Sequence, residues 1–376
     1  MSKQIRVLHF QGRLGKGGAE TFMMNAFRNI DRSKVQFDFL IYHDFEDVRP
    51  YNDEIRSLGG HIYSVPNPKK NIIAYIKAVR KLLKDKKFDV VHSEVFFGGG
   101  LNLFLAKKAG IKKRIVHSHA TSDGKGKNIP LKILRRIFDR LMKENATDFL
   151  ACSHEAGIAL YGKEQPFVFV PNGIDLELYR NIPESKITIR KSLNIPADAF
   201  VVGNIGRFED QKNHLFLIDI FEQVIKKNKN SHLVLIGEGS LFSKVNEKVI
   251  RKGLAEKVSF LGVRNDIPQL LKSMDVFLMP SLYEGLPISA VEAQAANLKL
   301  VLSNEVSKET RISENVHFIS LNEEPKQWAK IALQEPLQNF PYKEMEIYDM
   351  KKTAEQLEKI YLSRLGEISD EFDCNR

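Results

Sequence analysis

The chain has 376 residues, 43% of them hydrophobic and 28% charged, with 57 Lys and Arg against 47 Asp and Glu. That length predicts two domains, the composition is too apolar for a disordered chain, and without an unbroken apolar run of about 18 residues no spanning helix is expected. The net charge of +10 is uneven: residues 1–180 hold 31 basic and 19 acidic side chains and the remainder 26 and 28, so the first half points to an anionic partner such as a phosphorylated substrate, a membrane surface or nucleic acid.

The chain opens on a strand-like run, IRVLHF (5–10), with no signal-peptide pattern ahead of it. Its two cysteines, Cys152 and Cys374, are far apart and lack ligand spacing, which argues against a disulfide scaffold or a structural zinc site and predicts a cytoplasmic protein. Further runs follow at VQFDFLIY (35–42), HIYSVP (61–66), DVVHSE (89–94), RIVHSH (114–119), DFLACS (148–153) and FVFVPN (167–172). After a stretch without periodicity near 175–195 they resume at FVVGNIGR (200–207), HLVLIGEG (232–239), VSFLGV (258–263), VFLMPS (276–281), LVLSN (300–304) and VHFIS (316–320). Most are continuously apolar, as strands are when helices cover both faces of a sheet. Helical spacing separates them, for example Ile72, Ile76, Val79 and Leu83. The expected fold class is α/β, with two Rossmann-like, doubly wound parallel sheets. The expected domains are residues 1–178, residues 179–344, and a terminal segment 345–376 whose helix packs back on the N-terminal domain.

In such sheets ligands sit beyond the C-terminal strand ends, so the loops there are searched for chemistry. FQGRLGKGGAE (10–20) follows the first strand; its glycines, Gly17 and Gly18 among them, either let backbone amides approach an anion before a helix start or form a plain turn. It matches neither GxGxxG nor a P-loop, and Asp44 is a weak candidate for a ribose anchor. In GRFEDQKN (206–213), Arg207 and Lys212 suit a diphosphate, the alternative being ion pairs with Glu209 and Asp210. In SLYEGLPISAVE (281–292), Glu284 lies in a loop with Gly285 and Leu286, and Glu292 falls in the second turn of the helix after Pro287. Two carboxylates so placed can each accept from sugar or ribose hydroxyls, or can be ordinary acidic residues in the first turns of a helix. HSHA (117–120) puts His117 and His119 on one strand face, with His119 nearer the strand end; both are candidate core imidazoles as well as site groups. No Asp-x-Asp pair exists to chelate a divalent ion. Finally, residues 125–145 form a basic amphipathic pattern in which Lys132, Arg135, Arg136, Arg140 and Lys143 interleave with Leu134, Ile137 and Phe138. Such a helix either covers the sheet or lies on an anionic membrane.

Taken together, GGAE after the first strand, a His after the fifth, PNGID at the junction, GRFxxxKN and EGLPISAVE resemble the retaining GT-B glycosyltransferases of family 4, particularly those of bacterial exopolysaccharide and capsule synthesis. The motifs span residues 17–292 in the family's order. The resemblance implies a GT-B fold with a cleft between the domains. It implies a nucleotide-diphosphate sugar, UDP by preference, as donor on the C-terminal domain, and a lipid-diphosphate-linked saccharide as acceptor on the N-terminal one. With no Asp-x-Asp pair, neutralisation of the donor diphosphate is expected from Arg207, Lys212 and helix N-termini, without a metal or other cofactor. By the same resemblance Arg207 and Lys212 stabilise the leaving diphosphate, and Glu284, with Gly285 and Leu286, binds the sugar. Glu292 holds the ribose, Gly17 and Gly18 close on the phosphates, and His119 lies beside the reacting sugar. One stretch departs: AANLKLVLS lacks the family's usual Gly and Pro, and Asn297 is expected to cap the helix in left-handed conformation. The competing expectations are a nucleotide-sugar epimerase or hydrolase on the same scaffold and a non-catalytic nucleotide-sugar binder. Aromatics do not interleave with the basic residues in a stacking pattern, which argues against nucleic acid.

Overall fold

The computed structural model describes residues 4–15, 18–45, 51–95, 98–119, 129–337 and 342–363. It divides into two units, Met1–Gly173 with Ile347–Arg376, and Ile174–Glu346. The terminal helix belongs to the first unit.

The first unit carries strands β1 (Ile5–Gly12), β2 (Val35–Tyr42), β3 (Ile62–Val65), β4 (Val90–Ser93), β5 (Lys113–Ser118), β6 (Asp148–Ala151) and β7 (Val168–Phe169). They form one parallel sheet in the order β3-β2-β1-β4-β5-β6-β7. Val7, Leu8, His9 and Phe10 of β1 are all buried, as expected of a strand covered on both faces. Helix Ile72–Asp85 starts where Asn71 caps the amide of Ala74 at 2.9 Å. Its inward face is Tyr75, Val79 and Leu83, whereas Ile72 is exposed, so the apolar stripe begins one turn later than its spacing predicts.

Helix Met350–Leu362 is capped by Asp349 and returns to this unit. Lys34 pairs with Glu358 at 2.7 Å, Gln356 donates to the Phe169 carbonyl at 2.8 Å, and the Tyr361 hydroxyl meets His92 Nδ1 at 2.8 Å. Gly173 is needed at that contact, since a Cβ there would lie 2.9 Å from the Met350 Cα.

The second unit carries β8 (Phe200–Ile205), β9 (Ser231–Ile236), β10 (Val258–Phe260), β11 (Val276–Met279), β12 (Lys299–Ser303) and β13 (Val316–Ile319), parallel in the order β10-β9-β8-β11-β12-β13. Separate apolar clusters fill its two faces, one around Phe221, Leu233 and Trp328 and the other around Val201, Phe277 and Leu300. Asp275 ties the entering chain to the sheet by accepting from Lys186, Arg190 and the Val201 amide, each at 2.6 Å. Asn297 has φ of 57°, the left-handed conformation expected of it.

Candidate active site

Strand order reverses direction between β8 and β11 in the second unit and between β1 and β4 in the first. At such a switch point the loops beyond neighbouring strand ends part and leave a crevice. In the second unit the loops after β8 and β11 contain GRFEDQKN and SLYEGLPIS, so the topology alone brings two of the sequence candidates together.

These two loops are stitched to each other. The Leu282 amide donates to the Gln211 carbonyl at 2.7 Å and Gln211 Nε2 donates to the Tyr283 carbonyl at 3.0 Å. Glu284 bridges to residues 305–307, its amide reaching the Glu305 carbonyl and its carbonyl accepting from Ser307 at 3.1 Å. Asn213 turns the chain into helix His214–Lys227 with φ of 53°. The Lys212 stem lies over Gly206, where a Cβ would come within 3.0 Å of it. As a result Lys212 Nζ and Glu284 Oε1 are 2.6 Å apart, with only 14% and 10% of their side chains exposed.

Lys212 therefore pairs across the loops and not with Glu209 or Asp210. Glu209 is instead held by the Ser240 hydroxyl at 2.8 Å and the Ser240 amide at 3.1 Å. Arg207 is exposed and makes no ion pair among the described residues. An exposed guanidinium and a largely buried ammonium in one loop after a strand are suited to two charges of a diphosphate.

Sequence reasoning missed the GEGS turn after β9. Gly237 has φ of 136°, and a Cβ there would lie 2.1 Å from the Gly206 carbonyl; one on Gly239 would lie 2.5 Å from that of Phe208. The turn locks the Arg207 loop from behind, with the Phe208 amide donating to Glu238 at 2.9 Å and the Leu241 amide to Phe208 at 2.8 Å. The two closely spaced glycines in HLVLIGEG were the available signal.

Pro287 stands in extended conformation at the N-cap position, one residue ahead of the first turn expected of it, and Glu292 falls in the second turn of helix Ile288–Ala295. Leu286 is buried and anchors the turn. Glu292 Oε1 accepts from the Tyr179 hydroxyl at 2.8 Å. Burial pushes the Glu292 carboxyl up to about 6, and the Tyr179 bond pulls the other way. Tyr179 is a second missed residue: the aperiodic sequence around it gives no hint of a partner 113 positions away.

In the first unit Gly18 opens helix Gly18–Asn29, and nothing lies within 4 Å of where its Cβ would be. Gly17 lies outside the described residues, as does the start of the 125–145 pattern. Asp44 is engaged by Lys70 and by Asn67, so its carboxylate is taken up locally. His119 directly follows β5, with Nδ1 3.2 Å from Asn172 Oδ1. Burial lowers its pKa to about 4, which leaves the ring neutral at neutral pH.

Behind His119 stands a row of imidazoles that sequence reasoning did not assemble. Ring centroids are 4.0 Å apart for His119 and His117, 5.4 Å for His117 and His92, and 5.0 Å for His92 and His9. His9, His92 and Glu94 form a group of metal-ligand type, with ligand atoms within 4.8 Å of one another. Protein partners already engage it: His9 Nδ1 meets Glu94 Oε1 at 3.0 Å, Gln11 donates to the other carboxyl oxygen, and His92 faces Tyr361. Burial pushes the Glu94 carboxyl up and the His9 and His92 imidazoles down, each toward its uncharged form.

Residues 16–178 match the family described as Glycosyltransferase Family 4, and residues 185–333 the family described as Glycosyl transferases group 1. A Bacillus subtilis chain named as a glycosyltransferase, EpsF, is 35% identical over 388 aligned positions covering all of both chains. The UDP-Gal:alpha-D-GlcNAc-diphosphoundecaprenol alpha-1,3-galactosyltransferase of Escherichia coli is 29% identical over 80% of each chain. The fold matches Anabaena HepE, solved with UDP and glucose, at a TM-score of 0.77 and 18% identity over 96% of this chain and 100% of that one. With both halves matched by family models and a relative 35% identical over the whole chain, the chain belongs to the GT-B glycosyltransferases of the group 1/family 4 type.

Proposed function

We propose that this glycosyltransferase moves a hexose from a nucleotide-diphosphate sugar, UDP being the nucleotide, to a lipid-diphosphate-linked saccharide in exopolysaccharide or capsule synthesis, with retention of anomeric configuration. The observation that carries the donor assignment is the Lys212–Glu284 pair beside the unpaired Arg207 at the β8–β11 switch point. As the bond to the anomeric carbon breaks, negative charge grows on the diphosphate, and preorganised cations there stabilise the transition state more than the ground state. Glu284, oriented by Lys212 and its backbone bridge, accepts from sugar hydroxyls. Glu292 accepts from the ribose, and His119 bonds a hydroxyl of the reacting sugar. Neutralisation of the diphosphate falls to Arg207, Lys212 and the helix N-terminus after Pro287, so no divalent ion is needed. For retention the leaving phosphate takes the acceptor proton while the acceptor attacks the same face. The relative from Escherichia coli, whose name specifies a diphosphoundecaprenol acceptor, and HepE, solved with UDP and glucose, support the choice of substrates.

No helix among the described residues is long and apolar enough to cross a membrane. On helix Ile129–Asn145, Ile133, Leu134 and Ile137 are exposed beside Arg136 and Arg140. This face supports a cytoplasmic enzyme seated on the anionic inner leaflet, where a lipid-linked acceptor is presented.

The test combines a thermal-shift screen of nucleotide sugars in EDTA with a transfer assay on a lipid-diphosphate saccharide. A donor at about 100 times its dissociation constant stabilises the fold by about 2.7 kcal/mol. An α-linked product from an α-linked donor establishes retention. Donor consumption without acceptor favours the epimerase or hydrolase, and binding without turnover favours the non-catalytic binder.

A further inference from the structure

We propose that Asn172 is a positioning residue that sets the tautomer of His119, so that this imidazole presents a bare Nε2 and selects a substrate group that donates a hydrogen bond, a sugar hydroxyl, over one that only accepts. The proposal rests on the assignment of His119 to a substrate hydroxyl.

Asn172 is 3% exposed, and its Oδ1 faces His119 Nδ1 at 3.2 Å. An amide oxygen only accepts, so the hydrogen in that bond must sit on Nδ1. The ring is neutral at neutral pH, so this is its one exchangeable proton and Nε2 keeps a lone pair. Nε2 is buried and has no hydrogen-bond partner among the described residues. The ring is walled by Phe22, 5.1 Å away on helix Gly18–Asn29, and by His117, 4.0 Å away on β5, with His92 beyond. His117 and His92 are themselves held neutral by burial, and no carboxylate pairs with His119 among the described residues. Asn172 is thus the group on hand to decide which nitrogen carries the proton. It stands in the PNG stretch that follows β7, and its side chain reaches past β6 to the end of β5.

The decisive experiment reads the ring directly, by nitrogen-15 NMR of histidine-labelled full-length protein with the His119 signal assigned from the His119→Gln spectrum. The wild type is expected to show a protonated Nδ1 and a bare Nε2. Asn172→Ala should redistribute the proton between the two nitrogens. Asn172→Asp keeps the accepting oxygen, so it should restore the wild-type tautomer. The added charge should also raise the His119 pKa by about 1–3 units, moving the acid limb of kcat/KM to higher pH. If Asn172→Ala does not fold, the Asn172→Asp spectrum and pH profile still decide. A protonated Nε2 in the wild type, or a tautomer indifferent to Asn172→Ala together with an unmoved acid limb in Asn172→Asp, overturns the proposal. Absence of sugar transfer by a wild type showing the expected tautomer would overturn the functional assignment instead.

Discussion

The two units share a strand order, extended by one strand in the first, yet the electrostatics of their candidate groups are opposite. In the second unit the groups are charged: Lys212 pairs with Glu284 across two loops, and Arg207 stands exposed and unpaired. In the first they are neutral: His119, His92 and His9 have lost their protons to burial, and Glu94 has been pushed toward keeping its own. The division matches the work proposed for each. A departing diphosphate needs fixed positive charge, whereas a neutral imidazole accepts from a sugar hydroxyl without the desolvation cost of a charged partner. The basic excess of residues 1–180 therefore does not mark the proposed diphosphate site, since Arg207 and Lys212 lie in the half with more acidic than basic residues. Regional charge reports steering and surfaces, while the local site is built by loops.

The largest effect should come from the cations. Arg207→Ala is expected to lower kcat about 10²–10³-fold with the melting temperature unchanged, since the side chain is exposed and unpaired. Lys212→Met should lose activity and also destabilise the unit, by about 3–5 kcal/mol, because it strands a largely buried Glu284 carboxylate. Equal melting losses in the two variants, read by calorimetry beside nucleotide-release kinetics, would break the distinction between a free and a paired cation. Next in size, Arg135→Glu with Arg136→Glu should weaken binding to anionic vesicles by at least about 2 kcal/mol, roughly 30-fold, in co-sedimentation; unchanged binding would leave this helix only the task of covering the sheet.

Tyr179→Phe removes one hydrogen bond to Glu292 and should weaken UDP binding about 2- to 10-fold by calorimetric titration, with kcat nearly unchanged. The pH dependence is the subtlest prediction. In its proposed role Glu292 would accept ribose hydroxyls best when ionised, so UDP affinity should fall as pH drops through about 6, and Glu292→Gln should flatten that dependence. Stability runs the other way. A carboxyl whose pKa is raised in the fold contributes stability below its unfolded value, and this is lost as pH rises through about 6. Wild type and Glu292→Gln should therefore diverge in melting temperature above pH 6 and converge in acid.

Much of this was legible from the chain. Thirteen apolar runs became thirteen strands among the described residues, because doubly covered parallel strands have to be apolar throughout. The left-handed Asn297 and the placement of Glu292 after Pro287 also followed from local stereochemistry. The partnerships did not. Lys212 was as compatible with Glu209 or Asp210 as with Glu284, because nearest neighbours in sequence are the default partners until loop geometry is known.

What the amino-acid order determined alone is the periodicity, the caps, the motif residues and hence the fold class, since these depend on interactions within a few residues. Only the tertiary structure decided that Glu209 turns to Ser240, that Tyr179 reaches Glu292, and that β1, β4 and β5 align His9, His92, His117 and His119 in one row. The reason is physical. Charge state and hydrogen-bond partner are set by burial and by atoms brought from distant positions, and neither is written in local spacing.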